Sequence, residues 1–314
     1  MIPPDLYEQG AMLATPSKDP DALVVSLRPR DYTFDIKWDG IRCLACVDRG
    51  AVTLKTRTGE SLNARYPDIV EALAAQYPTS SMVLDGELLC FDPATGLPDF
   101  NRGQKRSSQS TPSKIAVVVR SHPATFMVFD LLWYDGDDLR NTPLVARQAV
   151  LHSIAQAWAG SAYLKCSQWS DDGPMMWAFV AQHRLEGLIA KVKTGLYRGR
   201  RDAGWIKLKK TLRVTCIVTG YDNGKGARNG KVGALHIAML DAHGALQSVG
   251  RVGTGLKERD HGPLLEVLAT GQEFLVEVEC MPPTTGDLQL RFPSFQYVRS
   301  DVRRADCTID QIGV

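Results

Sequence analysis

The sequence predicts an α+β chain of two domains: a larger one of antiparallel sheets with helices, up to about residue 210, and a small closed β-barrel after it. Three observations carry this. From residue 32 onward, short apolar or alternating runs are broken by Gly-containing turns, the mark of hairpins. Segments with apolar residues at helical spacing interrupt those runs. After Thr211 the helical segments nearly cease, and about five strand-like runs with one helix fill the remainder, which suits a small barrel.

Taken in order, residues 1–30 are Pro-rich and read as irregular. Residues 32–36, 41–47 and 52–56 read as strands, separated by Asp39-Gly40 and Arg49-Gly50. Residues 66–75 have helical spacing, with Ile69, Val70 and Leu73 on one face. Residues 82–84 and 88–91 are apolar and flank Asp85-Gly86-Glu87. Residues 107–114, SSQSTPSK, read as a mobile polar loop. Residues 126–133 form an apolar strand ending at Tyr134-Asp135-Gly136. Residues 142–159 and 174–184 read as helices, and 188–191 and 204–208 as strands. In the second domain, 214–221, 233–240, 245–252 and 274–280 are strand-like and 256–269 helical. These patterns divide the chain into domains 1–210 and 211–314, with no internal repeat.

Composition narrows the class. Hydrophobic residues make up 44% and charged residues 23% of the 314, as in a soluble globular protein. No run reaches the roughly 18 apolar residues that span a bilayer. The first 20 residues hold Pro3, Pro4, Asp5, Glu8 and Asp19, and no signal-like apolar stretch. Seven scattered cysteines read as free thiols in a reducing, cytoplasmic compartment. Cys43 and Cys46 have zinc-like spacing, but no second pair exists and the six histidines are dispersed, so a structural role is the better reading. The net charge of +2 leaves nucleic-acid binding to be decided locally.

Six segments hold chemistry-bearing residues. They are Asp35-Ile36-Lys37-Trp38-Asp39-Gly40-Ile41-Arg42, Thr56-Arg57-Thr58-Gly59, Asp85-Gly86-Glu87, Phe129-Asp130, Glu186-Gly187-Leu188-Ile189-Ala190-Lys191 and Trp205-Ile206-Lys207-Leu208-Lys209. A lone lysine before an Asp-Gly turn is a weak signal. In this order, however, the six resemble the motifs of the covalent nucleotidyltransferase superfamily, which includes DNA ligases, RNA ligases and mRNA capping enzymes. The resemblance spans residues 12–304. Met12-Leu13-Ala14, the run from Val249 to Gly255 and Arg291-Phe292-Pro293-Ser294-Phe295 are most similar to short bacterial ATP-dependent DNA ligases, including the ligase modules of end-joining systems. The few residues before the first motif are too short for the helical DNA-binding domain of larger ligases, so none is expected within this sequence.

The resemblance implies an ATP-grasp-like nucleotidyltransferase domain followed by an OB-fold barrel. It implies an enzyme that seals nicks in duplex DNA through a lysyl-AMP and then a DNA-adenylate. Lys37 is the adenylated residue. A lysine amine suits this role because its phosphoramidate can pass AMP onward. A free lysine, with a pKa of roughly 10.4, must first be activated by desolvation or neighbouring cations. The Asp35–Ile36 backbone meets the adenine edge, and Phe129 stacks on the purine. Arg42, Arg57, Lys191, Arg201, Lys207 and Lys209 contact ribose or phosphates. Glu87 contacts the ribose or a metal-bound water. Glu186 is the main carboxylate for Mg2+, with Mn2+ as a substitute.

The stretch 191–213 carries nine Lys or Arg against one acid, Asp202, and reads as a phosphate-binding surface. Arg57, Arg106 and the barrel-turn residues Lys225, Arg228 and Lys231 are the expected DNA contacts, with Arg106 in loop 102–114. The expected partners are nicked double-stranded DNA and an end-joining or repair protein, for a nucleoid-associated monomer. A GTP-using capping enzyme or an RNA ligase is the rival reading. The closing motif departs from the family's Arg-x-Asp-Lys: Arg299-Ser300-Asp301-Val302 lacks the lysine, although Arg303 and Arg304 follow.

Overall fold

In the computed structural model, which describes residues 2–313 except 4, 5, 7–9, 282 and 284–287, the chain divides into two units, Met1–Lys209 and Lys210–Val314. The first unit opens with β1 (Leu13–Pro16), α1 (Pro20–Ser26), β2 (Tyr32–Ile36), β3 (Ile41–Asp48), β4 (Ala51–Thr56), α2 (Pro67–Gln76) and β5 (Ser81–Cys90). It continues through α3 (Phe100–Ser107), α4 (Pro112–Ser121), β6 (Ala124–Tyr134), β7 (Asp137–Asp138), α5 (Leu144–Ala155) and β8 (Leu164–Cys166). It ends with β9 (Trp169–Ser170), α6 (Gly173–Gln182), β10 (Gly187–Val192) and β11 (Arg201–Lys209).

Two sheets result, ordered β1-β11-β10-β2-β9 and β4-β3-β5-β6-β7, with β8 pairing β6. The β3–β4 turn works because Arg49 and Gly50 both take positive φ, 49° and 82°, the twist a two-residue hairpin needs. Strand β6, ATFMVFDLLWY, is buried along nearly its whole length, as its continuous apolar run requires. One face packs Phe126, Val128 and Leu131 against Ile69 and Leu73 of α2 and Leu151 of α5. Its other face offers Phe129 and Leu132 to Met12, just before β1, and to Trp205 of the first sheet. The outer face of that sheet is closed by Val24 of α1 and by Met176, Trp177 and Val180 of α6. The order of layers in this unit is therefore helices, sheet, sheet, helices, and the six motif segments meet between the sheets.

Residues 1–30 depart from the irregular reading. Residues 4, 5 and 7–9 lie outside the described residues, but β1 and α1 are regular. Strand β1 forms by parallel pairing with β11, a partner nearly the length of the unit away. Helix α1 starts on a capping Asp19 side chain with Pro20 in its first turn. The polar stretch 107–114 likewise contains the end of α3 and the start of α4. Cys43 and Cys46, three apart on a strand, face opposite sides of the sheet and so cannot share a metal.

The second unit comprises β12 (Leu212–Asn223), β13 (Val232–Leu240), β14 (Leu246–Val252), α7 (Glu258–Ala269), β15 (Phe274–Met281) and β16 (Arg291–Arg299). Its strands run in the order β14-β13-β12-β15-β16, all antiparallel neighbours. A parallel bridge from Thr254 to Ser294 links the two edges. Val214, Ile237, Val249, Val276 and Val278 fill its core, with Leu264 of α7 packed on them. Among the described residues no helix is long and apolar enough to cross a membrane.

Candidate active site

A cavity of about 250 Å³ opens in the first unit, and each of the six motif segments contributes to it. Lys37 stands just past the end of β2. Its backbone N–H donates to the Gly187 carbonyl at 2.8 Å, which pins the turn beside Glu186. Gly187 holds φ of 148°, and a Cβ there would lie 1.9 Å from the Leu208 carbonyl, so only glycine lets β10 and β11 close on this turn. The Lys37 ammonium pairs with Glu186 Oε2, and Lys209 Nζ reaches Glu186 Oε1 at 2.9 Å. Glu186 is almost wholly buried and thus neutralised by a cation on each oxygen.

The walls follow from strand periodicity. Trp205, Lys207 and Lys209 alternate on one side of β11, and Ile189 and Lys191 on one side of β10. Phe129 and Trp205 meet edge-to-face, centroids 6.1 Å apart, and form the aromatic wall. Lys191 is buried beneath them. It is bonded to Asp35 Oδ2, donates to the Phe129 carbonyl at 3.3 Å and lies 4.6 Å from the Trp205 ring centre. Asp35 is nonetheless held above the usual carboxylate range, because burial outweighs its Lys191 partner.

Arg42 and Glu87 face each other across the β3–β5 register. Arg42 is chelated by Asp85, Nε to Oδ1 and Nη2 to Oδ2, both at 2.6 Å. Burial pushes Glu87 up to about 7 against the opposing pull of Arg42 and Lys37. The mouth is cationic. Lys207 is pushed below the usual lysine value by desolvation and by Lys209, Arg201 and Lys37. Arg57 lies exposed at the rim, and Arg201 bonds the Ala14 carbonyl.

Of the expected ligand residues, Asp35, Ile36, Lys37, Arg42, Arg57, Glu87, Phe129, Lys191, Arg201 and Lys207 line one cavity. Lys209 and Glu186 adjoin it through Lys37. Asp85 and Asp130 are structural: Asp130 is chelated by the buried Arg147 at 2.7 and 2.9 Å. The basic stretch 191–213 is divided, since Lys191 is interior and Lys193 pairs with Asp171 at 2.6 Å. In the second unit Lys225 and Arg228 are exposed, whereas Lys231 is engaged by Glu258 at 2.6 Å.

Arg106 requires a correction. It has no exposed surface, donates to Asp68 at 2.5 Å and stacks over Tyr66 at 5.0 Å, so it ties α3 to α2 and cannot reach a DNA phosphate. Trp205, part of the aromatic wall, and Tyr197, packed behind it, are not among the residues the sequence assigns to the ligand. Trp205 lies inside a recognised segment and was findable there; Tyr197 sits in a loop and gives no periodic signal.

The two-sheet fold and the six segments meeting at one pocket match the arrangement expected of a covalent nucleotidyltransferase. The ATP dependent DNA ligase domain matches residues 11–209. The chain belongs to this ATP-dependent DNA ligase family. The multifunctional non-homologous end joining protein LigD of Mycolicibacterium smegmatis is 32% identical over 313 residues, covering 92% of this chain and 38% of that protein. A DNA ligase of Pyrobaculum islandicum is 30% identical over 247 residues, covering 74% of this chain and 41% of that one. The solved structure of mycobacterial DNA ligase D complexed with ATP and MES is similar with a TM-score of 0.58 and 30% identity, covering 95% of this chain and 97% of that one. The chain thus spans less than half the length of these curated relatives.

Proposed function

We propose that this chain seals nicks in duplex DNA, with Lys37 carrying AMP between ATP and the DNA end. The observation that carries the reading is the position of Lys37. Its amine lies at a pocket with an aromatic wall of Phe129 and Trp205 and a mouth of Arg201 and Lys207. A purine fits the wall, and a triphosphate fits the cations.

In the first step the Lys37–Glu186 pair parts, the ammonium sheds a proton, and the amine attacks the α-phosphate. An N–P bond forms as the bond to pyrophosphate breaks. The AMP then passes to a 5′-phosphate, and the 3′-hydroxyl displaces it. The Asp35–Ile36 backbone meets the adenine edge and Phe129 stacks on the purine. Arg42, Lys191, Arg201, Lys207 and Lys209 serve ribose and phosphates. Arg57, exposed at the rim, serves ATP and later the 5′-phosphate.

Glu87 and Glu186 flank Lys37 and offer hard oxygens, the donor type that suits Mg2+ or Mn2+. Among the described residues no group of three or more His, Cys, Asp or Glu is gathered, so the ion takes its other ligands from phosphate and water. When bound, it neutralises charge on the phosphates.

We assign the second unit as an OB-fold, supported by its strand order, by α7 between its third and fourth strands and by the Thr254–Ser294 bridge. Lys225, Arg228 and Lys231 at its β12–β13 turn contact DNA backbone. The enzyme acts as a cytoplasmic, nucleoid-associated monomer with an end-joining or repair partner. The test is incubation with labelled ATP, GTP or NAD. ATP alone should leave an AMP adduct on the wild-type chain, and Lys37→Ala should show none while keeping its fold. An adduct formed only with GTP, or one of normal stoichiometry in Lys37→Ala, overturns the assignment.

A further inference from the structure

We infer that Tyr197 is a positioning residue whose hydroxyl locks Arg42 and segment 11–14 into one rigid wall of the nucleotide pocket. The inference rests on the reading of that pocket as the ATP site.

Asp85, with no exposed surface, is the hub. Both its oxygens hold the Arg42 guanidinium, and Oδ2 also accepts the Tyr197 hydroxyl at 2.7 Å. The same hydroxyl accepts the Met12 backbone N–H at 2.9 Å. Arg42 Nη2 closes the circuit by donating to the Met12 carbonyl at 3.2 Å. A phenol has one proton to donate and lone pairs to accept, and here the donor and an acceptor are both engaged inside the protein. The Tyr197 ring stands edge-on to Trp205, centroids 6.0 Å apart, and Arg42 lies over Phe129 at 4.6 Å from the ring centre. One buried side chain thus touches the backbone beside the pocket, the carboxylate that aims its arginine, and its aromatic wall.

Tyr197 is 1% exposed and does not line the cavity, whereas Arg42, Leu13 and Ala14 do. It therefore acts through Arg42 and segment 11–14. The hydroxyl joins segments that lie 112 and 185 residues from Tyr197 in the chain, a link that local structure could not supply. Without it, Asp85 and the Met12 amide each lose a partner in a buried place, and the carboxylate and the Met12 carbonyl that hold Arg42 are no longer tied to each other through Tyr197.

The test is single-turnover formation of lysyl-AMP by the full chain at varied ATP, comparing wild type with Tyr197→Phe, which keeps the ring. The expected result is a KM for ATP raised about tenfold, with the rate at saturating ATP changed less than about threefold. In an Arg42→Lys background, Tyr197→Phe should add little, because both changes act on one contact. An unchanged KM in folded Tyr197→Phe, or full additivity with Arg42→Lys, overturns the inference. Should Tyr197→Phe fail to fold, amide exchange on the wild-type chain decides it. The Met12 amide should exchange more slowly in the Lys37 adduct than in the adduct-free chain, and equal rates refute the coupling. Absence of any adduct in wild type would instead overturn the ATP reading itself.

Discussion

Glu87→Gln should make the first unit's stability less sensitive to alkaline pH, by an amount that follows from the site. Glu87 lies half-buried beside Arg42 and Lys37, and burial raises its carboxyl from 4.5 to about 7. Between those values the folded chain holds a proton that the unfolded chain has lost. The group's stabilising contribution is therefore complete below 4.5 and is lost as pH rises through about 7. At 1.36 kcal/mol per unit the loss is about 3 kcal/mol, which solvent at the partly exposed residue trims to about 2. Glutamine keeps the shape and does not titrate, so the variant should gain on wild type by about 2 kcal/mol between pH 5 and pH 8. All other titrating groups are common to both proteins and cancel in the difference. All six tryptophans lie in the first unit, so their fluorescence during urea unfolding reports this unit alone. A stability difference that is equal at the two pH values, or that shifts toward wild type at pH 8, would refute the reasoning.

Arg106→Ala should destabilise the first unit by about 3–5 kcal/mol by stranding the buried Asp68 carboxylate. Nicked-duplex binding by the folded fraction should be unchanged at fixed salt; weaker binding with normal stability would restore Arg106 as a DNA contact. Glu186→Ala should depress sealing far more than nicked-duplex binding, because Glu186 orients Lys37 and Lys209. Equal losses in the gel-shift and sealing assays would assign it to DNA contact or to structure.

The departure in the closing motif can now be placed physically. Arg299 donates to Glu277 at 2.8 Å and to both oxygens of Asp301, at 2.7 and 2.8 Å. Arg303, which follows where the family has lysine nearby, is occupied by Asp306 at 2.9 Å. To meet a phosphate, Arg299 would have to exchange two carboxylates within its own unit. The pocket meanwhile carries Arg201 and Lys207 beside Lys37, with Lys209 adjoining through Glu186. The proposed triphosphate site can therefore draw its positive charge from the first unit.

What was legible in the sequence and what was not divides along contact distance. Lys37, Glu87, Phe129, Lys191 and Lys207 were readable because each sits in a short segment whose residue types carry the chemistry, and strand periodicity then turns them to one side. The hairpin at Arg49-Gly50 was readable because a local φ requirement writes itself into the residue choice. Arg106 was misread because its partner, Asp68, is 38 residues away, and a charged residue in a polar run looks solvated until that partner appears. Strand β1 was missed for the same reason: its four residues become a strand only by lying beside β11. Tyr197 is the extreme case, since its ring and hydroxyl join segments from both ends of the unit. The residues proposed to do chemistry are thus marked by type and local setting, while those proposed to aim them are marked only by long-range contact. A positioning residue such as Tyr197 has to be sought in the folded network, where a buried polar group with every partner inside the protein reveals the work it performs.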